Sequence, residues 1–422
     1  MATVVPAGRQ RLLRNGDYVR LMSGQTLSSL GSAMSSFVFP IFALVITGSP
    51  VQAGLVGTAS ALGGTIASLP AGALADRWSR RRVLLGSSAA GAVLYGSVAV
   101  AGVIAHVTLV QLVLVAFGSG VCRAFFLPAQ NAALRQIVDQ ADLGTAMAAN
   151  EGRLHLSALL GGPLGGALFA VARVLPIGLD AVSYGALTML IATIRTPLPA
   201  PAQRTREPLR AAIGAGLRWL VHQRDIRGIA IAATLLNFSS AGILLILILN
   251  LQRHGISTAE IGLLETAAGA GGLTGALIAP VIMRKLATGQ IAILTVWIIA
   301  AALTATALTS TPAILMPLVT IALLPVPALN AGIFGYQTII TPDAMQGRAQ
   351  SAISFLATST GPLAPTLGGF LLGALGARPA VLILAIFLVG GALILTLTPS
   401  IRAIPHLSQI RAPEPEASPV SE

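Results

Sequence analysis

The chain has 422 residues, of which 55% are hydrophobic and only 9% are charged. Soluble globular proteins carry about 25% charged residues, so this composition excludes an ordinary soluble enzyme, a disordered protein and a DNA-binding domain. The net charge of +12 lies in short segments between apolar runs, which indicates membrane topology rather than nucleic-acid binding. The single cysteine, Cys122, excludes an intramolecular disulfide, and no Cys/His cluster has metal-ligand spacing. We therefore expect a polytopic membrane protein without a metal or cofactor.

Twelve mostly apolar runs are long enough to cross a bilayer as helices, which takes about 20 residues each. The first run is too long for a signal peptide and lacks a small-residue cleavage site, so we expect it to remain as the first helix. This pattern predicts an all-α membrane protein with twelve transmembrane helices. The runs begin near Met22, Val51, Val83, Thr108, Gly144, Pro176, Ile229, Ile261, Ile291, Ile314, Ala349 and Ala380.

Arginine and lysine residues are concentrated in alternate connections, and this bias predicts that both termini are cytoplasmic. In the longest connection, Leu209, Ile213, Leu217 and Leu220 share one helical face, which is typical of an interfacial helix; a solvated linker is the alternative. The polar, proline-rich tail predicts disorder. We expect an N-terminal six-helix bundle over 1–195, a cytoplasmic linker over 196–228, a C-terminal six-helix bundle over 229–399 and a disordered tail over 400–422.

An internal repeat relates the two predicted bundles. Gly54 and Leu55 recur as Gly262 and Leu263, and four small residues of the fifth run recur in the eleventh at one constant offset. Repeats of this kind place a binding site at their interface near the middle of the membrane. The matched small residues are Gly144, Ala146, Gly165 and Gly166 with Gly347, Ala349, Gly368 and Gly369.

A charged motif lies in the short connection between the second and third runs, Gly72-Ala-Leu-Ala-Asp76-Arg77-Trp-Ser-Arg80-Arg81-Arg82. It resembles the loop 2–3 signature of the major facilitator superfamily, with Ser79 where that family has glycine. The segments Asn15-Gly-Asp17-Tyr, Thr47-Gly-Ser-Pro50 and Phe126-Leu-Pro128-Ala129 resemble the drug:proton antiporter branch that contains macrolide-efflux proteins and enterobactin exporters. A loop that only follows the positive-inside rule is the alternative interpretation.

This resemblance implies the major facilitator fold and transport by alternating access, in which two six-helix bundles rock about a central cavity and protons are coupled to export. It implies no enzymatic activity. It also implies that the loop 2–3 residues form a conformational switch that stabilises the outward-facing state. In this sequence the switch residues are Gly72, Asp76, Arg77, Arg80 and Arg81.

A second resemblance, to the antiporter motif of the fifth helix, lies in the fifth run, where Pro163 stands one place later than in the family pattern. The glycines give small-xxx-small faces for close helix packing, so a packing seam without a coupling role is an equal alternative. The motif-like residues are Gly161, Gly162, Pro163, Gly165 and Gly166.

Ionisable side chains inside membrane spans are functional candidates, because a charge in hydrocarbon costs at least about 2.5–3.5 kcal/mol. Asp180 and Glu265 each lie about one turn from the outer end of a span, where hydration is the alternative to proton transfer. Glu151 and His155 share a helical face and form a possible proton relay, while Arg123 is a candidate ion-pair partner of Glu151. Arg153 is expected to reach the headgroups or a neighbouring helix end.

Uncharged polar residues predict part of the cavity lining, namely Gln25, Ser28 and Ser32 on the first helix and Asn237 on the seventh. Hydrogen bonding between helices explains them equally well. The expected partners are a small molecule, protons and membrane lipids, without nucleic acid, for a protein that is monomeric in the cell membrane. The mostly apolar cavity walls favour an uncharged or cationic lipophilic substrate.

Export of a drug, antibiotic or siderophore is the leading interpretation. The alternatives are an uptake carrier or lipid flippase on the same fold, a membrane-embedded enzyme, and a non-transporting sensor. No nucleotide-binding loop is present, so ATP is not expected to drive transport.

Overall fold

The computed structural model describes residues 7–75, 78–198, 214, 218–341 and 346–409, and within this part of the chain the regular structure is helical. Asp76 and Arg77 of the predicted switch, most of the predicted interfacial helix and the tail beyond residue 409 lie outside the described residues. The helices of the first half are α1 (Ala7–Arg14), α2 (Gly16–Thr47), α3 (Pro50–Ala75), α4 (Arg80–Val103), α5 (Leu109–Ile137), α6 (Leu143–Val171) and α7 (Leu175–Ala192).

The second half repeats this succession of long helices, with two of them interrupted near proline residues. A break at Leu324 and Pro325 divides one span, and a 3₁₀ turn over Gly361–Leu363 divides another. The helices are α8 (Arg224–Arg253), α9 (Thr258–Lys285), α10 (Thr288–Ala305), α11 (Pro312–Leu323), α12 (Val326–Ile340), α13 (Gln346–Ser359), α14 (Ala364–Leu375), α15 (Ala377–Leu397) and the short α16 (Pro399–Arg402).

Ten helical stretches of the described residues are long and apolar enough to cross a membrane. The continuous segment Pro312–Ile340 counts as one of them, although it contains α11 and α12. Helix α3 and the α13–α14 pair take the remaining two places in the predicted order of twelve spans. Most helices begin earlier than the apolar runs, for example α2 at Gly16 instead of Met22, because the first turns of a spanning helix extend beyond the hydrocarbon and tolerate polar residues.

Local sequence explains where several helices begin and end. The Asn15 side chain accepts hydrogen bonds from the backbone N–H groups of Asp17 and Tyr18 and so caps α2. Gly48 adopts φ 68°, a left-handed conformation that ends α2, and Pro50 starts α3 two residues later. Gly48 and Pro50 therefore form a tight turn between α2 and α3.

Helices α2 to α7 pack together as one bundle, and α8 to α15 pack together as the other. The two bundles meet where α3 contacts α14 and where α6 contacts α9. We call the side of the helices that carries Gly16 and Leu397 the proximal side, and the opposite side, which carries Pro50 and Thr258, the distal side. An apolar core cluster that includes residues of α2, α8 and α9 extends across the junction between the bundles.

Candidate functional site

The contacts between bundles follow the sequence repeat. A Cβ on Gly166 would lie 2.7 Å from the carbonyl carbon of Thr258, and a Cβ on Gly369 would lie 2.9 Å from that of Pro50. These positions correspond to each other in the repeat, so the same glycine contact occurs at both junctions. Only glycine allows backbones to approach this closely.

Thr58 and Thr266, which occupy equivalent positions in the repeat, add hydrogen bonds at the same junctions. The Thr366 hydroxyl lies 2.7 Å from the Thr58 hydroxyl, which joins α14 to α3. The Thr266 hydroxyl donates to the Leu159 carbonyl at 3.1 Å, which joins α9 to α6. Because these contacts lie toward the distal ends of their helices, they close the molecule on that side.

The predicted fifth-helix motif lies on two packing faces of α6. Gly161 and Gly165 face α2, where a Cβ on Gly165 would lie 3.0 Å from the Met34 carbonyl oxygen. Gly162 and Gly166 face α9 of the other bundle. Pro163 lies inside the helix between these faces. The glycines therefore serve close packing both within the first bundle and between the two bundles.

A cavity of about 860 Å³ lies between the bundles and is called here the interbundle cavity. Its wall begins at Pro365, near the distal contacts, and extends toward the proximal side as far as Ser68 of α3 and Ser354 of α13. The predicted cavity residue Asn237 lines it, and its amide donates to the Ala357 carbonyl at 3.1 Å. Arg123 lines the same cavity.

A second cavity of about 330 Å³ opens within the first bundle and shares part of its wall with the interbundle cavity. We call it the polar pocket, because most of the residues in its wall are serine, glutamine, tyrosine or arginine. The structure brings the other three predicted cavity residues together here. The residues that define this pocket include Gln25, Ser28, Ser32, Arg123, Arg153 and Tyr184.

Arg153 lies inside the first bundle, so the expectation that it reaches the headgroups or a neighbouring helix end is wrong. Only 8% of the residue is exposed, and its guanidinium donates to the Gln25 carbonyl at 2.9 Å and to Asn150 Oδ1 at 3.0 Å. Gln130 donates to the same Asn150 oxygen at 2.8 Å. The face that carries Asn150 and Arg153 points toward α2 and α5, so the arginine finds polar partners there instead of reaching the membrane surface.

Asp180 lies behind the polar pocket and is fully buried, which excludes the hydrated position considered from the sequence. Gly31 permits this burial, since a Cβ at that position would lie 2.5 Å from Asp180 Oδ1. The Ser183 hydroxyl lies 3.3 Å from the same oxygen, while Oδ2 has no hydrogen-bond partner. Ser32 connects the acid to the pocket, because its hydroxyl lies 3.5 Å from Asp180 Oδ1 and 3.0 Å from the Tyr184 hydroxyl.

Glu265 and His155 line a third cavity, of about 700 Å³, between α6 and α9. They come from different bundles, and Glu265 lies close to the bundle contact, because a Cβ on Gly162 would be 2.7 Å from its Oε2. The sequence had paired His155 with Glu151, but Glu151 is exposed and does not belong to this wall. The structure therefore places His155 in the same cavity as Glu265.

The expected ion pair between Arg123 and Glu151 is absent. Within the described part of the chain, the one ion pair shorter than 4.0 Å joins Arg20 to Asp17. Arg123 turns toward the cavities, whereas Glu151 lies on an exposed face of α6. The two side chains therefore point in different directions and do not form an ion pair.

Arg81, at the end of the predicted switch loop that the structure describes, forms hydrogen bonds with the end of α7. Arg81 donates to the carbonyl oxygens of Ala192 at 2.5 Å and Ile194 at 3.0 Å. A cation beside the last carbonyl groups of a helix is favourable, because they carry partial negative charge. Arg80 begins α4, and Gly72 lies in α3, close to the loop.

Asp17 fastens the start of α2 to the same place, a contact that the sequence did not predict. Its Oδ2 accepts hydrogen bonds from the backbone N–H groups of Arg195 at 3.0 Å and Thr196 at 2.7 Å, and from the Thr196 hydroxyl at 2.7 Å. The beginnings of α2 and α4 are thus both anchored to the residues that follow α7.

Comparison with known proteins agrees with this architecture. The family model described as Major Facilitator Superfamily matches residues 21–365. Enterobactin exporters from Citrobacter koseri and Escherichia coli O127:H6 are each 26% identical over 362 residues, which covers 85% of this chain and 83% of the relative.

Solved structures show the same fold at low sequence identity. A bacterial homologue of the iron transporter ferroportin in an inward-facing state has a TM-score of 0.73 at 17% identity and covers 93% of this chain and 99% of its own. A bacterial homologue of the lysosomal transporter Spinster has a TM-score of 0.70 at 16% identity, with 95% and 98% covered. The fold is all-α, with twelve transmembrane helices in two six-helix bundles. The protein is a multi-pass membrane transporter rather than an enzyme, and the chain belongs to the major facilitator superfamily.

Proposed function

We propose that this chain exports a small amphipathic molecule from the cytoplasm by alternating access, in exchange for protons. The observation that carries the proposal is the cavity between two bundles. On the distal side of this cavity, glycines and threonines at equivalent positions of the repeat make the contacts between the bundles. Two equivalent junctions can open together while the proximal side closes, which is the movement that alternating access requires.

The proposed direction of transport is supported by similarity to proteins that, according to their names, export enterobactin. A siderophore, drug or antibiotic is therefore the substrate that we propose. With both termini in the cytoplasm of a plasma-membrane protein, the described arrangement is inward-facing, since the distal side is closed and the wall of the interbundle cavity extends proximally. We further propose that the protein acts as a monomer within the lipid bilayer.

We propose two places for proton coupling. Asp180 is a buried acid linked through Ser32 to the polar pocket, and a buried carboxyl group costs less free energy when it is neutral. Glu265 and His155 occupy one cavity at a bundle junction, where a change of charge would affect the contact between bundles. We assign Glu151 and Arg123 no direct proton-transfer step.

The remaining sequence assignments complete the proposal. Residues 1–195 and 229–399 form the two moving units, and residues 196–228 connect them. Gly72, Asp76, Arg77, Arg80 and Arg81 regulate the proximal side, supported by the attachment of Arg81 to the end of α7. The fifth-helix glycines control how closely the bundles approach each other.

Reconstituted proteoliposomes test export and proton coupling together. An imposed pH gradient should drive accumulation of a substrate such as a fluorescent drug, and an uncoupler should abolish it. Asp180→Asn and Glu265→Gln should each retain substrate binding, and the residue that couples protons should lose gradient-driven transport. Asp139→Asn is a matched control, because Asp139 lies exposed outside the helices. Transport that is insensitive to the uncoupler would overturn the exchange mechanism.

A further inference from the structure

The charge of the polar pocket is unusual for a site in the middle of a membrane protein. Arg123 and Arg153 line it, and none of its lining residues is an aspartate or glutamate. Two acids lie near the wall without lining it: Asp180 is fully buried behind Ser32, and Glu151, which interacts electrostatically with Arg153, lies on an exposed face of α6. The wall itself therefore carries two arginines and no carboxylate, which gives its surface a positive charge.

Among the described residues, neither arginine has a carboxylate oxygen within 4.0 Å. Arg123 is exposed to the cavities and makes no hydrogen bond or ion pair there. Arg153 is bound by a backbone carbonyl and an amide oxygen, and its Nε has no partner. Charged groups inside a membrane protein are normally paired or mark the path of a charged substrate.

A neutral side chain in the same wall is also unsatisfied. Only 2% of Gln25 is exposed, and both its Oε1 and its Nε2 lack a hydrogen-bond partner. A buried amide without partners is costly, so such a group indicates a ligand that is bound during function. The Gln25 backbone carbonyl already holds Arg153, which fixes the two groups next to each other.

We propose that the polar pocket binds an organic oxyanion, a carboxylate or phenolate carried by the transported molecule. Arg123 and Arg153 supply the positive charge, and Gln25 Nε2 donates a further hydrogen bond. Guanidinium groups match the geometry of carboxylates, and hydrogen bonds between ionised groups are stronger than neutral ones. This assignment rests on the proposed transport function and replaces the uncharged or cationic substrate that the apolar composition favoured.

Equilibrium binding in nanodiscs of zwitterionic lipid tests the proposal with probes of one shape and different charge: 2-naphthoate, 2-naphthylmethanol and 2-naphthylmethylamine. The naphthoate should bind at least tenfold more tightly than the amine, with the alcohol between them. Arg123→Gln should weaken naphthoate binding about tenfold, and Gln25→Leu severalfold, while the amine gains or stays unchanged. Arg173→Gln, at an exposed position after α6, should leave all three affinities unchanged.

Equal or tighter binding of the amine would overturn the proposal, as would naphthoate binding that survives both Arg123→Gln and Gln25→Leu. Arg123 faces a cavity, so its replacement leaves the packing between helices intact. The assay needs neither a pH gradient nor transport. Charge-selective binding without export would therefore refute only the proposed direction or coupling, and export with amine-selective binding would refute only the anion site.

Discussion

At the scale of single residues, Gly162 occupies a position at the bundle junction that has no room for a side chain. A Cβ there would lie 2.7 Å from the Gly262 carbonyl oxygen and 2.7 Å from Glu265 Oε2. Such distances require the backbones of α6 and α9 to separate, because a carbonyl group cannot rotate away as a flexible side chain can.

We expect Gly162→Ala to weaken the distal closure by about 1–3 kcal/mol, the usual cost of overpacking a tight contact. Steady-state transport by reconstituted protein should fall, and a thiol reagent applied from the distal side should gain access to the cavity. Gly144→Ala, on the same helix but with open space around its Cβ, is the matched control. Equal transport by both variants would show that close approach at Gly162 is not required.

At the level of residues, the spacing of the polar side chains on the first helix predicted which of them lie together, whereas the surroundings of Arg153 were not predicted; a role in substrate binding stays a prediction. Gln25, Ser28 and Ser32 were recognised by their spacing, and they do share one pocket. The position of Arg153 was missed, because the sequence does not say which face of α6 is turned toward the bundle. The spacing of Asn150 and Arg153 on one helical face, with Gln130 in the preceding helix, was the available signal.

At the scale of helices, the end of α7 is the anchoring point of the first bundle. Asp17 at the start of α2 and Arg81 at the start of α4 both bind backbone groups there. These hydrogen bonds join helices that are distant in sequence, and hydrogen bonds to charged groups contribute about 1.5–3 kcal/mol.

Replacing the anchoring carboxylate should therefore destabilise the first bundle. We predict that Asp17→Asn lowers the free energy of unfolding by about 1.5–3 kcal/mol, because the amide accepts weaker hydrogen bonds from Arg195 and Thr196. Thermal unfolding in detergent should show a lower Tm for this variant and no change for Asp139→Asn. An unchanged Tm for Asp17→Asn would mean that other contacts hold these helices together.

Apolar runs predicted the helices themselves well, since a bilayer requires long apolar segments and every backbone group must be bonded within them. The interruptions at Leu324 and Pro325 and over Gly361–Leu363 were not predicted. Hydrophobicity does not distinguish one continuous span from two shorter helices in line, and proline is tolerated where neighbouring helices satisfy the freed backbone groups.

At the scale of the whole molecule, the sequence repeat anticipated the geometry of the interface. Glycines that were matched only by position in the chain make equivalent contacts at the two junctions, through Gly166 with Thr258 and Gly369 with Pro50. The sequence could not show which side of the molecule is closed, because one transporter sequence adopts several arrangements of the same helices.

The orientation of the molecule in the membrane remains a prediction from its arginine and lysine distribution. In a Cys122→Ser background, we expect a cysteine at His106 to react with a membrane-impermeant maleimide added to intact cells. A cysteine at Gln140, on the opposite side, should react only after the membrane is made permeable. Labelling in the reverse order would contradict the proposed direction of transport.

Distances between spin labels on the two bundles test alternating access most directly. One pair, at His106 and Thr311, spans the distal side, and the other, at Gln140 and Lys285, spans the proximal side; all four positions are exposed. Between pH 8 and pH 5.5 in nanodiscs, the distal and proximal distances should change in opposite directions, with a short distal distance in the arrangement described here. Two distances that stay constant, or that lengthen and shorten together, would contradict the account.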